Sequence, residues 1–252
     1  MNLGLLGKNA LVIGGSRGLG AAICQVFAEE GANLIIVSRK KEHAEKIGAE
    51  LCQKYRIQCM AIGQDLSEEN AADRIFEKAL HDGKHLDILV NSAAIWPQSY
   101  VKDMTESELK ETLHINLTVP CILCKKFIRH VLEEKNKGRI INIVSQAAFS
   151  GSTTGHAHYA ASKGGLVSFT ISLAREVAKH EITVNAIVPG IMDTDMMNQS
   201  LAEKRQYYID RIPIGRIADP LEVAYGAAYL ASDQADYITG IALDITGGML
   251  MR

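Results

Sequence analysis

Residues 10–27 read Ala-Leu-Val-Ile-Gly-Gly-Ser-Arg-Gly-Leu-Gly-Ala-Ala-Ile-Cys-Gln-Val-Phe, an apolar strand that passes through a glycine-rich turn into a helix. Gly14 permits a tight exit from the strand, Gly18 lets the backbone approach a pyrophosphate, and Gly20 lets the helix lie close to the sheet. The free N–H groups at the start of the helix can bind phosphate. The pattern therefore predicts a dinucleotide-binding turn. Its residues are Gly14, Gly15, Ser16, Arg17, Gly18, Leu19 and Gly20.

The alternation of strand and helix continues along the chain. Short apolar runs predict strands at 9–13, 33–38, 58–62, 88–91, 139–144, 183–188 and 241–245. Amphipathic stretches predict helices at 18–30, 41–55, 67–82, 105–134, 159–179 and 220–231, and the cap sequences Ser67-Glu-Glu-Asn70 and Thr105-Glu-Ser-Glu108 favour two of their starts. Strands that are apolar on both faces are typical of a sheet covered by helices. Residues 1–252 are therefore predicted to form a single-domain α/β Rossmann fold, a doubly wound, seven-stranded parallel sheet with helices on both faces.

The composition argues against several classes of function. A formal net charge of −2 gives no support for binding to nucleic acid or to a membrane surface. The start Met1-Asn-Leu-Gly-Leu-Leu-Gly-Lys8 lacks the basic segment of a signal peptide. No apolar run approaches the roughly 18 residues that a membrane span needs. A soluble, cytoplasmic protein is expected.

The five cysteines do not suggest a disulfide framework, because their number is odd and they are scattered through predicted helices and strands. Cys121 and Cys124 have CxxC spacing but lie inside the apolar stretch Val119-Pro-Cys-Ile-Leu-Cys124, without a second ligand pair. Buried structural thiols are the favoured interpretation of this pair, and no metal site is expected.

The end of the second strand indicates which dinucleotide is bound. An NAD site usually has Asp or Glu there for the ribose 2′-OH, whereas this strand ends Ile35-Ile-Val-Ser-Arg-Lys-Lys41, with no acid before Glu42. Arg39, after Ser38, could bind a 2′-phosphate bidentately, and Arg17 could approach the same phosphate. These residues predict NADP(H) as the cofactor; the alternative is that the basic residues only form a solvated helix start.

Tyr159 and Lys163 stand four residues apart at the head of a predicted helix, so they share one helix face. A phenol titrates near pH 10 and needs a neighbouring cation to act as an acid or base at neutral pH. The pair therefore suits proton transfer to or from an alcohol oxygen, although such a spacing also occurs by chance in many helices.

Taken together, these residues resemble the short-chain dehydrogenase/reductase family over nearly the whole chain. Gly14-x-x-x-Gly18-x-Gly20 resembles its cofactor turn, Asp65-Leu66 its adenine-contacting position, and Asn91-Ser-Ala-Ala94 its Asn-Asn-Ala-Gly turn. The chain departs from the family pattern at Ile13, Ser92, Ala94 and Thr246. The similarity is greatest to 3-oxoacyl-(acyl carrier protein) reductases and related carbonyl reductases. The resemblance also identifies further cofactor contacts, at Ser38, Arg39, Asp65, Leu66, Asn91, Ala93, Tyr159, Lys163, Pro189, Gly190, Met192 and Thr194.

The resemblance implies a catalytic tetrad of Asn116, Ser145, Tyr159 and Lys163. Tyr159 would donate the proton in ketone reduction, while Lys163 would lower the pKa of the phenol and bind the nicotinamide ribose. Ser145 would polarise the carbonyl group, and Asn116 would position a water that connects Lys163 to solvent. Hydride transfer from NADPH would complete the reduction. The structural alternatives are a strand-end cap for Ser145, a helix backbone partner for Asn116 and a solvated side chain for Lys163.

The expected function is NADPH-dependent reduction of a ketone, a 3-oxoacyl thioester or another small carbonyl compound, to a secondary alcohol. Two alternatives stay open: an NAD-dependent sugar-alcohol or steroid dehydrogenase, and a catalytically silent cofactor-binding regulator. The family also implies a homotetramer, or a homodimer, with the apolar helix segment 164–173 in one interface. The alternative is that the same helix face packs only within its own domain.

Several features near the predicted site have two interpretations. The Met-rich segment at about 190–217 is either a mobile substrate lid or a plain insertion that packs on the core. Trp96 could line the substrate pocket or be an ordinary, partly buried aromatic residue, and residues 150–154 could contribute to the same pocket. His156 and His158 suggest local hydrogen bonding or substrate contact rather than metal binding.

Overall fold

The computed structural model describes residues 2–81, 85–152 and 154–252. Seven parallel strands form one sheet, in the order β3-β2-β1-β4-β5-β6-β7. The strands are β1 (Asn9–Ile13), β2 (Asn33–Ser38), β3 (Cys59–Gly63), β4 (Ile88–Asn91), β5 (Gly138–Ile143), β6 (Ile182–Pro189) and β7 (Ala242–Ile245). The α-helices are α1 (Gly18–Glu29), α2 (Lys41–Tyr55), α3 (Ala71–Ala79), α4 (Glu106–Leu113), α5 (Val119–Glu133), α6 (Ala147–Ser150), α7 (Ala157–Val177), α8 (Asn198–Ile209) and α9 (Pro220–Ala231). The predicted fold class is confirmed.

Alternate residues of each strand enter two separate cores, one on each face of the sheet. In β1, Ala10 and Val12 pack into the core that α1 and α9 cover, whereas Leu11 and Ile13 pack into the core under α3, α5 and α7. Because helices bury both faces, the strands are apolar at nearly every position, as their sequences indicated.

The strand order reverses between β1 and β4, which are neighbours although two strands separate them in the sequence. The turns after these two strands leave the sheet in diverging directions and open a crevice at its carboxyl edge. Ligands of doubly wound sheets bind at such a point. The fold therefore places the glycine-rich turn and the segment after Asn91 on the two sides of one crevice.

The helix predicted at 67–82 was wrong at its start. The Ser67 backbone N–H and hydroxyl both donate to the Asp65 carboxylate, at 2.9 and 2.8 Å, so Ser67 belongs to a turn. Asn70 then adopts a left-handed conformation, and α3 begins only at Ala71. Asp82, the expected end, lies outside the described residues. The other predicted element bounds agree to within about two residues.

The long helix predicted at 105–134 is divided into two α-helices by a π-helical segment at His114–Thr118. Its start is confirmed: Glu108 N–H donates to the Thr105 hydroxyl at 3.2 Å, and Thr105 N–H donates to the Glu108 carboxylate at 2.8 Å. A π-helical segment inside a helix is uncommon and occurs frequently at functional sites. Asn116, at its centre, is the residue that the family pattern placed in the tetrad.

The two CxxC thiols have different environments. Cys124 is fully buried, and burial raises the pKa of its thiol. Cys121 is half-buried, and burial raises the pKa of its thiol to about 11. Both thiols are therefore poor nucleophiles, as a structural interpretation requires. Within the described residues, no helix has the length and apolarity to cross a bilayer, and no three His, Cys, Asp or Glu side chains converge as metal ligands would.

Candidate active site

A cavity of about 790 Å³ lies in the crevice at the carboxyl edge of the sheet. It contains most of the residues that the sequence predicted for the site. Those that line it are Gly14, Ser16, Arg17, Gly18, Leu19, Gly20, Ser38, Arg39, Asp65, Leu66, Ala93, Ser145, Tyr159, Lys163, Pro189, Gly190, Met192 and Thr194. Gly15, Asn91 and Asn116 are the three predicted residues outside this lining.

The glycine-rich turn needs its glycines for two different reasons. Gly14 has a φ of +82°, and a Cβ atom there would lie 2.8 Å from the Ala93 backbone across the crevice. A Cβ atom on Gly20 would overlap the Gly14 carbonyl oxygen, so Gly20 lets α1 begin directly against the turn. Gly18 has a φ of +51° and faces Thr194, whose side chain would lie 3.6 Å from a Cβ atom at this position. Gly14 and Gly20 thus allow the turn to pack closely against its protein neighbours, and Gly18 lines the cavity beside Thr194.

Gly15 and Asn91 lie behind the residues that line the cavity. A Cβ atom on Gly15 would lie 2.9 Å from the Cys24 sulfur and from Ile36, so this glycine packs into the core. The Asn91 side chain is buried and donates to Asn142 Oδ1 at 2.8 Å, which ties β4 to β5. Gly15 and Asn91 were predicted to contact the cofactor directly, but neither residue lines the cavity.

The end of the cavity at β2 is basic. Arg17 and Arg39 are exposed, line the cavity and come from the turns after β1 and β2. Asp65 follows β3 and lines the same region. Hydrogen bonds from the backbone and the hydroxyl of Ser67 lower the pKa of the Asp65 carboxyl, with a smaller contribution from the charge of Arg39. Two cationic side chains thus line the cavity from the turns that the sequence predicted to hold a 2′-phosphate.

Tyr159 and Lys163 lie on the first turns of α7, where the side chains of both are buried. Burial raises the pKa of the Tyr159 phenol, and hydrogen bonding with the Ser145 side chain opposes that rise. The Lys163 ammonium lies 5.8 Å from the centre of the Tyr159 ring and donates to the Ile143 carbonyl at 2.8 Å. Burial lowers its pKa to about 8. The sequence predicted a lowered phenol pKa; the structure reverses that direction because desolvation outweighs the stabilisation of the phenolate.

Asn116 stands behind this pair and holds the segment after β4. Its side-chain amide donates to the Ile95 carbonyl and its Oδ1 accepts from the Ile95 N–H, both at 2.9 Å. The amide also lies 3.2 Å from the Ser162 hydroxyl, on the turn of α7 between Tyr159 and Lys163. Asn116 therefore connects the loop that lines the cavity to α7, and its partner is a loop peptide rather than a helix backbone.

A further wall of the cavity is aromatic. Trp96 lines the cavity and stacks on His156, with 4.2 Å between the ring centres and an angle of 16°. The Nδ1 atom of His156 lies 2.8 Å from the Pro97 carbonyl, which fixes the ring. His158 is buried outside the lining. Of the predicted 150–154 wall, Ser150, Gly151, Ser152 and Thr154 line the cavity, and Thr153 lies outside the described residues.

Sequence reasoning missed several lining residues. Gln146, directly after Ser145, lines the cavity and places its Nε2 atom 3.3 Å from the Met249 sulfur. The segment at 190–217 contributes Met196, Tyr208 and Arg211. The Met-rich composition suggested that segment 190–217 could cover the site, but no local signal showed which of its residues line the cavity or that the chain end lines it as well.

Comparison with known proteins agrees with this geometry. The chain is 35% identical over 249 residues to the 3-oxoacyl-(acyl-carrier-protein) reductase of Aquifex aeolicus, covering 99% of this chain and 100% of that protein. It is 36% identical over 249 residues to the corresponding reductase of Vibrio cholerae, with the same coverage. A family model described as enoyl-(acyl carrier protein) reductase matches residues 13–250.

The chain belongs to the short-chain dehydrogenase/reductase family. Two solved structures of similar fold contain bound NADP. One, from Beutenbergia cavernae, is described as an NAD(P)-dependent gluconate 5-dehydrogenase; it superimposes with a TM-score of 0.93 at 31% identity over 99% of each chain. The other, from Agrobacterium tumefaciens, is described as a 2-deoxy-D-gluconate 3-dehydrogenase, with a TM-score of 0.89 at 30% identity over 100% of this chain and 99% of that chain.

Proposed function

We propose that this short-chain dehydrogenase/reductase uses NADPH to reduce a ketone, a 3-oxoacyl thioester or another small carbonyl compound, to a secondary alcohol. The observation that carries the proposal is the grouping of Ser145, Tyr159 and Lys163 on one cavity with the glycine-rich turn. Membership of this family makes the chain an oxidoreductase of the CH–OH/C=O type. The 3-oxoacyl thioester is favoured by the named reductases at about 35% identity along the full chain.

The residues present fit NADP(H). Gly14, Gly18 and Gly20 line the cavity at the start of α1, where the N–H groups of a helix N-terminus can bind phosphate. Arg17 and Arg39 supply the cationic donors for a 2′-phosphate, and β2 ends without the carboxylate that would repel it. Asp65 and Leu66 would contact the adenine, and Thr194 would bind on the nicotinamide side. The NADP in two structures of this family supports the same choice.

The bound cofactor would supply the reducing hydride. Tyr159 would provide the proton, because a phenol, which titrates near pH 10, is protonated at neutral pH. Ser145 can donate a hydrogen bond to the carbonyl oxygen of the substrate and stabilise the negative charge that develops there. Lys163 lies beside the phenol on the same helix face, where its ammonium would stabilise the phenolate left after proton donation. Asn116 acts on this group through the Ile95 peptide and the Ser162 hydroxyl.

Replacing Tyr159 with Phe tests the proposal. The ring remains, so α7 and the cavity keep their packing, but the acidic hydroxyl is lost. Loss of general acid catalysis should lower the rate of ketone reduction by about 10²–10⁴-fold or more. NADPH binding, followed by nicotinamide fluorescence, should be retained. Turnover at the rate of the unaltered protein would exclude Tyr159 as the proton donor.

A second candidate is a sugar-acid or sugar-alcohol dehydrogenase that works in the oxidative direction. It is favoured by the names of the two similar NADP-containing structures. NADPH consumption with an acyl-thioester ketone, a sugar ketone and a steroid ketone, measured side by side, separates the candidates. A catalytically silent regulator would consume NADPH with none of them.

Two further statements are proposals of the same kind. We propose that residues 190–217 act as a lid, since Met196, Tyr208 and Arg211 of this segment line the cavity. We also propose a homotetramer. Exposed Ile122 on α5 and Ile171 on α7 give these helices apolar outer positions that a partner subunit would cover. A cytoplasmic location stays a prediction.

A further inference from the structure

The segment at 190–217 carries three arginines, and two of them are neutralised by carboxylates. Arg205 lies 3.2 Å from the Asp193 carboxylate. Arg216 forms a bidentate pair with Glu222, at 2.6 and 2.5 Å. Arg211 differs, because no carboxylate pairs with it among the residues that the structure describes. It is the arginine of this segment that lines the cavity.

Neutral groups hold the Arg211 side chain in place. Its Nη1 atom donates to the Tyr207 hydroxyl at 2.8 Å, and the guanidinium lies 5.1 Å from the centre of the same ring. The next residue, Ile212, is buried and anchors the backbone. Asp210, on the other side, already accepts a hydrogen bond from Gln206 at 2.7 Å. The guanidinium is therefore oriented, yet its charge is left unpaired within the described chain.

Arg211 is exposed on the cavity, so an anion that enters the cavity can reach it. The cavity walls include the rings of Trp96 and Tyr208 and the side chains of Met196 and Met249. These walls can accommodate the uncharged part of a substrate, and the exposed guanidinium can pair with an anionic end. A guanidinium whose Nη2 and Nε atoms have no partner among the described residues can bind two oxygens of one anion.

We propose that Arg211 binds an anionic group of the substrate, a carboxylate or a phosphate, at a distance from the reacting carbonyl carbon. The inference rests on the proposed function, because it assigns a property to the substrate of that site. The phosphates of the cofactor have separate partners in the glycine-rich turn, Arg17 and Arg39. Arg211 lies instead in the segment after β6, beyond α8. The substrate class is therefore a ketone that carries an anionic end.

Matched pairs of ketones test the proposal on the NADPH-loaded protein. One pair is 4-oxopentanoate and its methyl ester, and the other is dihydroxyacetone phosphate and dihydroxyacetone. Binding is followed by the change in NADPH fluorescence and turnover by NADPH absorbance. The unaltered protein should prefer the anionic member of at least one pair, and that pair identifies the carboxylate or the phosphate.

Arg211→Gln should abolish this preference. A charge-assisted hydrogen bond contributes enough for a loss of about 10- to 100-fold in affinity and in kcat/KM for the anion. The neutral member should change by less than about twofold, and the affinity for NADPH should be unchanged. Arg205→Gln, the same substitution on the same segment but outside the cavity lining, is the control and should retain the preference for the anion.

Three outcomes overturn the inference. The first is the absence of any anion preference in the unaltered protein, and the second is an equal loss for charged and neutral ketones in Arg211→Gln. The third is weaker NADPH binding in that variant, which would assign Arg211 to the cofactor. Failure of all four compounds to be reduced would count against the proposed function with these ketones, while the fluorescence binding data would still decide the role of Arg211.

Discussion

Replacing Lys163 with Met should change how the stability of the protein depends on pH. The Lys163 side chain is 2% exposed, and its ammonium has the Ile143 carbonyl as a partner. Burial lowers its pKa from 10.5 to about 8. A difference of that size means that the charged form costs the folded state about 3 kcal/mol relative to the unfolded chain. Methionine fills a similar volume and carries no charge at any pH.

The direction of the pH dependence follows from whether Lys163 holds its proton in the folded or in the unfolded state. Between pH 8 and pH 10.5, Lys163 has released its proton in the folded state but would still bind it in the unfolded chain. Stability therefore rises with pH across this window, by up to about 1.4 kcal/mol per pH unit. Below pH 8 the full cost of the buried charge applies, and above pH 10.5 it disappears. The unaltered protein should gain about 3 kcal/mol relative to Lys163→Met from pH 7 to pH 10.5.

Urea unfolding of both proteins, followed by circular dichroism at a fixed protein concentration and at several pH values, measures this difference. Constant effects, such as the lost hydrogen bond to Ile143, cancel in the comparison across pH. Lys102→Met is the matched control, because the Lys102 side chain is 83% exposed and its replacement should give a difference that does not vary with pH. Parallel pH profiles for the unaltered protein and Lys163→Met would refute the argument that burial penalises this ammonium.

Two further changes test the cofactor site and a helix start. Arg39→Asp should weaken NADPH binding by about 10-fold or more while NADH binding changes little, because a carboxylate repels the 2′-phosphate and accepts the ribose 2′-OH; fluorescence titration with both cofactors measures this, and equal effects on both would contradict it. Thr105→Ala removes the hydroxyl that accepts the Glu108 N–H, and should lower the free energy of unfolding by about 1 kcal/mol, as measured by urea denaturation. An unchanged denaturation midpoint would show that the start of α4 does not depend on this cap.

The elements of the fold were predictable because their signals are local. Apolar runs between amphipathic stretches indicated all seven strands, and the capping sequence at Thr105 placed the start of α4 correctly. The error in the predicted start of α3, at Ser67, also has a local cause. The same residue types that cap helices also close turns, and Asp65 competes for the Ser67 N–H and hydroxyl. A capping sequence alone does not distinguish the two uses.

The predicted site residues fall into two groups. Some serve the backbone turn in which they stand, whereas others depend on contacts with distant parts of the chain. Gly14 and Gly20 serve the turn itself, so sequence spacing was sufficient to place them at the cavity. Asn91 depends on what lies beside β4, and its neighbour Asn142 on β5 directs its amide into the sheet. Arg211 lies in a segment whose path over the cavity depends on packing between distant parts of the chain. No local pattern could have placed it there.

Burial, which the spacing of Tyr159 and Lys163 does not show, determines what this pair can do. It raises the pKa of the phenol and lowers that of the ammonium, so it disfavours the charged form of each group. A protonated phenol suits donation to a carbonyl oxygen, which is the reductive direction. As Tyr159 loses its proton, the resulting phenolate makes the positive charge of Lys163 more favourable in the same low-dielectric surroundings. In the proposed reduction, the two groups would therefore assist each other at the proton-transfer step, where added stabilisation of the transition state raises the rate.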